Sequence, residues 1–482
     1  MRFNLFKPDA PSQKTLVRDF LLPTIFNKIM PPAFILKRLC PHFALFVAIA
    51  LCLSACHTPA PPSQRDMLAE ISGNVGKTEI ALKEKPSDFV LPAAIKDQSK
   101  LSTDDIIIIS LANNAELQEA LSGLGIERGK MLTAAHIANP RLTFMMPTGT
   151  RQFEFLALHP IVDTLFIRPD RIKIAEKNAR AYSRIMEEQC LDVILQARLL
   201  CAKLELANDM AGSLAAEKAS LETMGDFHRK SFEGGNSNSL NSDKIKVDIS
   251  VLELAIQQEN LNRQNAILEI NRLMGASQNP WVWDLAEGDS AIKGVTDSRQ
   301  QLLEKALLSR PSIRALEMEM EAIAIKHKIA AREVWNFLIG PSDKEFGNSN
   351  ASGWTLSVGL DLPIFNRNEG GKAIARAELE KALRSYESQR NTIAHEISVS
   401  LEALGNNQRM LDAFDKNLLP NISSYVQNSQ KLVEAGRENL EVALLAQYQL
   451  ARLKSSRAQN VYQYKCAYYR LERTLASSLA DK

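Results

Sequence analysis

Aromatic side chains make up only 6% of this sequence, and 21 Gly and 20 Pro are few for 482 residues. Sandwiches turn often and need such residues, so their scarcity points to long helices. Charge of one sign is also missing. The 58 Lys and Arg nearly balance 56 Asp and Glu, both signs are interspersed, and neither nucleic acid nor an anionic surface is implied as a partner. Catalytic signatures are absent too: there is no His-Glu-x-x-His, Cys-x-x-Cys, Walker loop or Gly-x-Ser-x-Gly. His136, His159, His228, His327 and His395 stand alone and read as structural, and no enzyme, cofactor or metal centre is expected. Glu369-Gly370-Gly371 reads as a helix entry, because no strand and Gly-rich Lys context makes it a phosphate cradle. Cysteines number six. Cys190 and Cys201 lie about 16 Å apart on a predicted helix, too far to bridge each other. A Cys466 bridge to either stays open, and burial as small core residues is the preferred reading.

The one strongly apolar run, Phe43–Leu53, follows Lys37 and Arg38 and is too short to span a membrane stably, which makes it a secretory signal. Its close, Leu53-Ser54-Ala55-Cys56, resembles a bacterial lipoprotein box. That resemblance implies cleavage before Cys56 and lipidation of its thiol; an ordinary signal peptide with an incidental Cys is the rival. Residues 1–29 fit no part of the signal, and a start at Met30 would give a leader of normal length. Residues 56–100, rich in Pro, Ser and mixed charge, read as a tether.

Order is expected from Ser102, a cap for one helix running to about Ala135. A hairpin follows at about 140–160, with Leu142, Phe144 and Met146, then Phe153, Phe155 and Ala157, on alternate positions. The clearer strand is Gly353–Pro363, where Trp354, Leu356, Val358, Leu360 and Leu362 alternate with Thr355, Ser357, Gly359 and Asp361. One face suits lipid and the other water, and its length matches the roughly 9–11 residues that a tilted strand needs to cross a bilayer. Pro363 ends the ladder, Asn366 and Asn368 offer caps, and an Ala-rich helix starts near Lys372.

Heptads carry the rest. Ile172, Ala179, Met186, Val193, Leu200, Ala207, Leu214 and Leu221 recur every seven residues, with Cys190, Ala197, Leu204 and Ala211 beside them. A repeat held so long predicts a left-handed coiled coil of Asp170–Phe232, on the order of 90 Å. A turn at 234–239 leads to a returning helix ending at Gly275, and 276–300, with Trp281 and Trp283, is a connector. The pattern restarts about 200 residues on: helix, hairpin at about 335–363, then a coiled-coil hairpin over 370–476. Its heptad row is Ile397, Leu404, Leu411, Leu418, Tyr425 and Leu432, and its returning helix has Val461, Tyr468 and Leu475. The domain reading is a leader 1–55, tether 56–100, repeat 101–275, connector 276–300 and repeat 301–482.

Two segments, GLDLPIFNRNEGGKAIARAELEKA and RPSIRALEMEMEAIAIKHKIAAR from Arg310, resemble the TolC-type outer-membrane efflux channels, and PIFNRNEGG is similar to the heavy-metal branch. The resemblance covers about Asp104 to Leu475. It implies a mainly α fold with a membrane β part, a homotrimer whose twelve-stranded barrel continues as a periplasmic helical barrel. It further implies an outer-membrane channel of a Gram-negative tripartite efflux system or type I secretion-like export. The partners would be a periplasmic adaptor and an inner-membrane pump of the RND type or an ABC transporter, with heavy-metal cations as candidate cargo. The adaptor would meet the tips at Gly234, Gly235, Asn236, Ala435 and Gly436. Arg437, Glu438 and Glu441, with Asp243 and Lys244, hold positions matching the family's pore constriction; a merely solvated tip is the rival reading.

The residues alone require an oligomer. Four strands per chain leave two open edges in hydrocarbon, where each unsatisfied group costs several kcal/mol. Two chains would give eight strands and three would give twelve; inward Thr355, Ser357 and Asp361 favour a water-filled barrel, and the residues themselves fix only a multiple of four strands. A periplasmic adaptor, with one hairpin between β-rich segments, and a strandless coiled-coil lipoprotein are the rivals.

Overall fold

The computed structural model describes residues 62–75, 80–93, 95, 97–145, 154–234, 239–286, 295, 297–345 and 352–477. Ser102 caps the helical part reciprocally: its Oγ accepts from the Asp105 backbone N–H, and the Asp105 carboxylate accepts from Ser102 N–H at 3.0 Å. The single helix expected there is two, α2 (Thr103–Asn113) and α3 (Ala115–Ala135). Asn114 divides them, because its Oδ1 accepts from Leu117 N–H at 2.9 Å and starts a new helix. The segment read as a tether is also more ordered than expected. From Gln64 it forms α1 (Gln64–Val75), with Met67, Leu68, Ile71 and Ile80 buried in the cluster that holds Ile106 and Leu121. So short a helix has too few turns for its apolar spacing to stand out in the sequence. Next to it, β1 (Lys100–Leu101) pairs in parallel with β4 (Asp284–Leu285) of the connector.

The second sheet has four strands: β2 (Arg141–Met145), β3 (Glu154–Pro160), β5 (Asn336–Glu345) and β6 (Ser352–Asp361). They lie in that order, every pair antiparallel. Gly340 is required where β5 meets β3, since a Cβ there would sit 1.6 Å from the Ala157 carbonyl oxygen. Met146 and Phe153 lie outside the described residues.

Long helices leave the sheet. α4 (Arg168–Glu233) is 66 residues, about 99 Å at 1.5 Å per residue, and α5 (Ser239–Leu273) returns along it. Ala179, Met186, Val193, Ala207, Leu214 and Leu221 of the expected row are buried, as are Cys190, Ala197 and Leu204. The connector packs as well: Trp283 is buried and donates from Nε1 to Asn271 Oδ1 at 3.2 Å. After it, α6 (Arg299–Ser309) and α7 (Pro311–Arg332) lead to β5.

From β6 the chain enters α8 (Glu369–Ala413), continues through a π-turn at Phe414–Leu418 into α9 (Leu419–Glu434), and returns as α10 (Leu440–Leu475). Asn366 and Asn368 do not cap α8 in the expected way. Asn368 adopts a left-handed φ of 54° and donates from Nδ2 to the Ala330 carbonyl, tying the entry of α8 to α7. Gly371 makes room for that side chain, because a Cβ would stand 2.4 Å from Asn368 Oδ1.

A π-turn also precedes α4, at Asp163–Ile167. Pro169 and Pro420 follow the two π-turns by two residues. Proline has no N–H and its ring crowds the carbonyl four residues back, so a widened turn lets each helix pass without a break. In the second helix this corrects the expected heptad row. Ile397 and Leu404 are buried, but Leu418, Tyr425 and Leu432 are 42–45% exposed, while Val426 and Ser429 are buried. One extra residue in the turn moves the inward face one position along the sequence.

Candidate channel wall and helical tips

The sheet has the two faces that its sequence alternation predicts. On one face Leu142, Phe144, Phe337, Leu356, Val358 and Leu360 are exposed, with Leu356 at 71% and Val358 at 64%. On the other, Ser342 Oγ meets Thr355 Oγ1 and Ser357 Oγ, each at 2.7 Å, and Asn336 donates to Asp361 at 2.8 Å. Hydroxyls that satisfy one another stay compatible with water while holding β5 to β6. β2 and β6 each lack a neighbour on one side among the described residues.

Below the sheet the helices keep the order of the strands. α4 lies between α3 and α7 near the sheet, and between α5 and α10 farther away, with α10 also packing on α8 and α9. The sheet order therefore puts α3 and α5 on the β2 side and α8 and α9 on the β6 side. Strongly similar architecture is found among solved structures. The outer-membrane channel OprN superposes with a TM-score of 0.63 at 15% identity, over 78% of this chain and 90% of that one. CusC, whose structures concern conformational changes on folding and transmembrane channel formation, gives 0.64 at 15%, over 83% and 98%. The Campylobacter jejuni outer-membrane channel CmeC gives 0.61 at 14%, over 81% and 92%. The fold is that of the TolC-type outer-membrane channels. No family model matches the chain, and no curated protein matches it in sequence.

In this channel fold the tips lie at the ends of the two helical hairpins farthest from the sheet. Gly234, Ala435, Gly436, Arg437 and Glu438 are exposed there, and Gly436 takes a φ of 65° that ends α9. Gly235 and Asn236 lie outside the described residues, as does Cys56. Asp243 pairs with Lys246 at 3.0 Å on the surface of α5, and Lys244 beside it is exposed. Of the five constriction candidates only Glu441 reaches across. Its Oε1 stands 3.3 Å from Nε2 of buried His228, on the other hairpin. His228, solitary in the sequence, is therefore part of a junction between hairpins. Leu444 joins Leu221, Met224 and Ile245 one turn above it.

A second group missed in the sequence lies near the helix entrance. Arg310, only 3% exposed in its side chain, donates to Glu188 at 3.1 Å and to Glu396 at 2.7 Å. Arg473 meets Glu188 at 2.9 Å and Asp192 at 2.7 Å. Three helices thus converge on one ion network. The three thiols are free and buried, with no bridge among them, and burial pushes Cys190 and Cys201 up to about 12. Among the described residues no cluster of three or more His, Cys, Asp or Glu could hold a metal, and no helix is long and apolar enough to cross a membrane.

Proposed function

We propose that three copies of this chain form a passive exit duct across an outer membrane, a twelve-stranded barrel continued by a helical tunnel. The observation that carries the reading is the sheet: an exposed apolar face, a hydroxyl-lined opposite face and two open edges in one four-stranded piece. An isolated piece cannot satisfy its backbone in lipid, whereas copies joined edge to edge can. The likeness to solved outer-membrane channels supports the same reading.

Its finer parts rest on the sequence repeats and on the family resemblance. The chain is a tandem repeat of about 200 residues per copy, 101–275 and 301–482, behind a leader and a lipid anchor at Cys56 on the periplasmic side. The tips at Gly234–Asn236 and Ala435–Gly436 meet a periplasmic adaptor and, through it, an inner-membrane pump of an efflux or type I secretion-like system. Arg437, Glu438 and Glu441, with Asp243 and Lys244, line the inner constriction. The PIFNRNEGG resemblance inclines the cargo towards heavy-metal cations.

Extraction from outer membranes tests the core of this. Heat-modifiable trimers with sheet signal support the duct; a lone helical polypeptide without sheet content ends it. For the constriction, replacing Glu438 and Glu441 together by Ala should alter single-channel conductance and cation blockade. Unchanged traces would remove both residues from the pore lining.

A further inference from the structure

Two apolar rows lie open on opposite edges of the helical layer, and each follows the coiled-coil period. On α5, Leu240, Val247, Leu254, Leu261 and Leu268 recur every seven residues and are between 52% and 70% exposed, on the side away from buried Ile245, Ala266 and Ile270. Along α8 and α9 the exposed row is Met410, Leu418, Tyr425 and Leu432. A seven-residue apolar row is the sequence mark of a helix seam, and α5 already has a separate inward face against α4. None of the described residues of the same chain covers either row.

The π-turn decides what the second row is made of. Counting by sevens from Met410 without a slip gives Asn417, Ser424 and Lys431, a polar edge. The extra residue in Phe414–Leu418 replaces these by Leu418, Tyr425 and Leu432, while Val426 and Ser429 become the buried positions. The slip keeps an apolar edge continuous along this helix.

We propose that the π-turn at Phe414–Leu418 turns this row onto the α5 row of a second copy of the chain, forming an antiparallel seam with rungs Leu240–Leu432, Val247–Tyr425, Leu254–Leu418 and Leu261–Met410. The occupant is fixed by the sheet. α5 lies on the β2 side and α9 on the β6 side, so pairing β6 of one copy with β2 of the next sets α9 beside the next α5. Directions agree, since β6 and β2 run oppositely, α8 and α9 run away from the sheet, and α5 runs back. The level agrees as well. α4 and the α8–α9 helix leave the same sheet and reach their turns together, as the contacts of Leu444 with Leu221 and of Glu441 with His228 require. With the two turns level, Leu240 faces Leu432, and the seven-residue spacing sets the other rungs. The proposal rests on the self-assembly reading above.

Cysteine cross-linking in the full-length protein, extracted from membranes, tests it. Oxidation of the Val247→Cys, Tyr425→Cys variant should give covalent multimers that survive boiling and collapse with reductant, and Leu254→Cys, Leu418→Cys should do the same. The Val247→Cys, Ser424→Cys control, turned about 100° around the helix, should cross-link at least tenfold less. Heat-modifiable oligomers in which neither rung pair cross-links would overturn the seam and leave self-assembly standing, as would a Ser424 control that cross-links as well as Tyr425. Parent material that is monomeric at every concentration would overturn both. Should the double variants fail to accumulate, Tyr425→Lys gives the second measurement. It should abolish the heat-stable oligomer with far-UV helix signal kept, and an oligomer as stable as the parent's counts against the proposal.

Discussion

Within each hairpin the helices meet through apolar side chains; between the hairpins, apart from the apolar cluster of Leu444 near the tips, they meet through charge. α10 presents Tyr464, Tyr468, Leu471 and Leu475 to Ile393, Ile397 and Leu404 of α8. At the other contact, where α10 crosses to α4, Arg198 pairs with Glu472, Lys465 with Glu205, Arg473 with Asp192, and Ser455 with Glu217. Apolar burial is non-directional, whereas paired charges need partners in matching places. Each hairpin is therefore a unit held by its own core, and the α4–α10 contact specifies how the two units register.

The largest break in that comparison should come at Arg310, where Glu188 of α4 and Glu396 of α8 share one guanidinium. Arg310→Ala takes a buried partner from Glu396 and leaves Glu188 with Arg473 alone, and should cost about 3–5 kcal/mol. Chemical unfolding read by the helix signal would record the lowered midpoint. A cost below about 1 kcal/mol would reduce the network to a surface pair. Removing a hairpin's own core should come next. Leu404→Ala, in the α8–α10 core, should cost about 2–5 kcal/mol, read by the same unfolding midpoint. A cost well below that range would mean that the second hairpin is not held by its own core.

Much of this fold was legible because two periods carry it. Alternation from Trp354 to Leu362 marks a strand, and the sevenfold row from Ala179 to Leu221 marks a coiled coil, each long enough to outweigh local noise. What escaped was local or far apart in sequence. A π-turn inserts one residue and leaves no period of its own; only Pro420, two positions later, signals it, so Leu418, Tyr425 and Leu432 read as inward. Asn114 splits a helix by one side-chain hydrogen bond. The carboxylates on Arg310 come from Glu188 and Glu396, on helices that only the tertiary fold brings to it. The tip residues are the least legible, since Arg437, Glu438, Asp243 and Lys244 are exposed polar groups near turns, as any solvated tip would have; among them and Glu441, only Glu441 reaches the other hairpin, at His228.

The smallest effect, and the one that sharpens the comparison most, concerns Glu217 on the charged side. It is buried on α4 with Ser455 Oγ 3.3 Å from its carboxylate. Burial raises its pKa above the usual carboxylate range, against the opposing pull of the Ser455 hydrogen bond and Arg452. A carboxyl that binds its proton more tightly when folded adds stability below the unfolded value of about 4.5, and that stability is lost as pH rises through the folded value. At neutral pH ionised Glu217 therefore opposes the α4–α10 contact. Glu217→Gln keeps the shape and an acceptor for Ser455 without the charge. It should raise the unfolding midpoint at pH 7, by about 1 kcal/mol on the scale of one hydrogen-bonded buried group, and the gain should vanish near pH 4, where the parent is protonated as well. A gain that persists at about pH 4 would trace to packing instead of charge, and a loss at pH 7 would mean that the ionised carboxylate is held by partners stronger than Ser455 and Arg452. The first result would move Glu217 from the charged contact to the apolar kind, and the second would keep it in the charged contact as a stabilised anion.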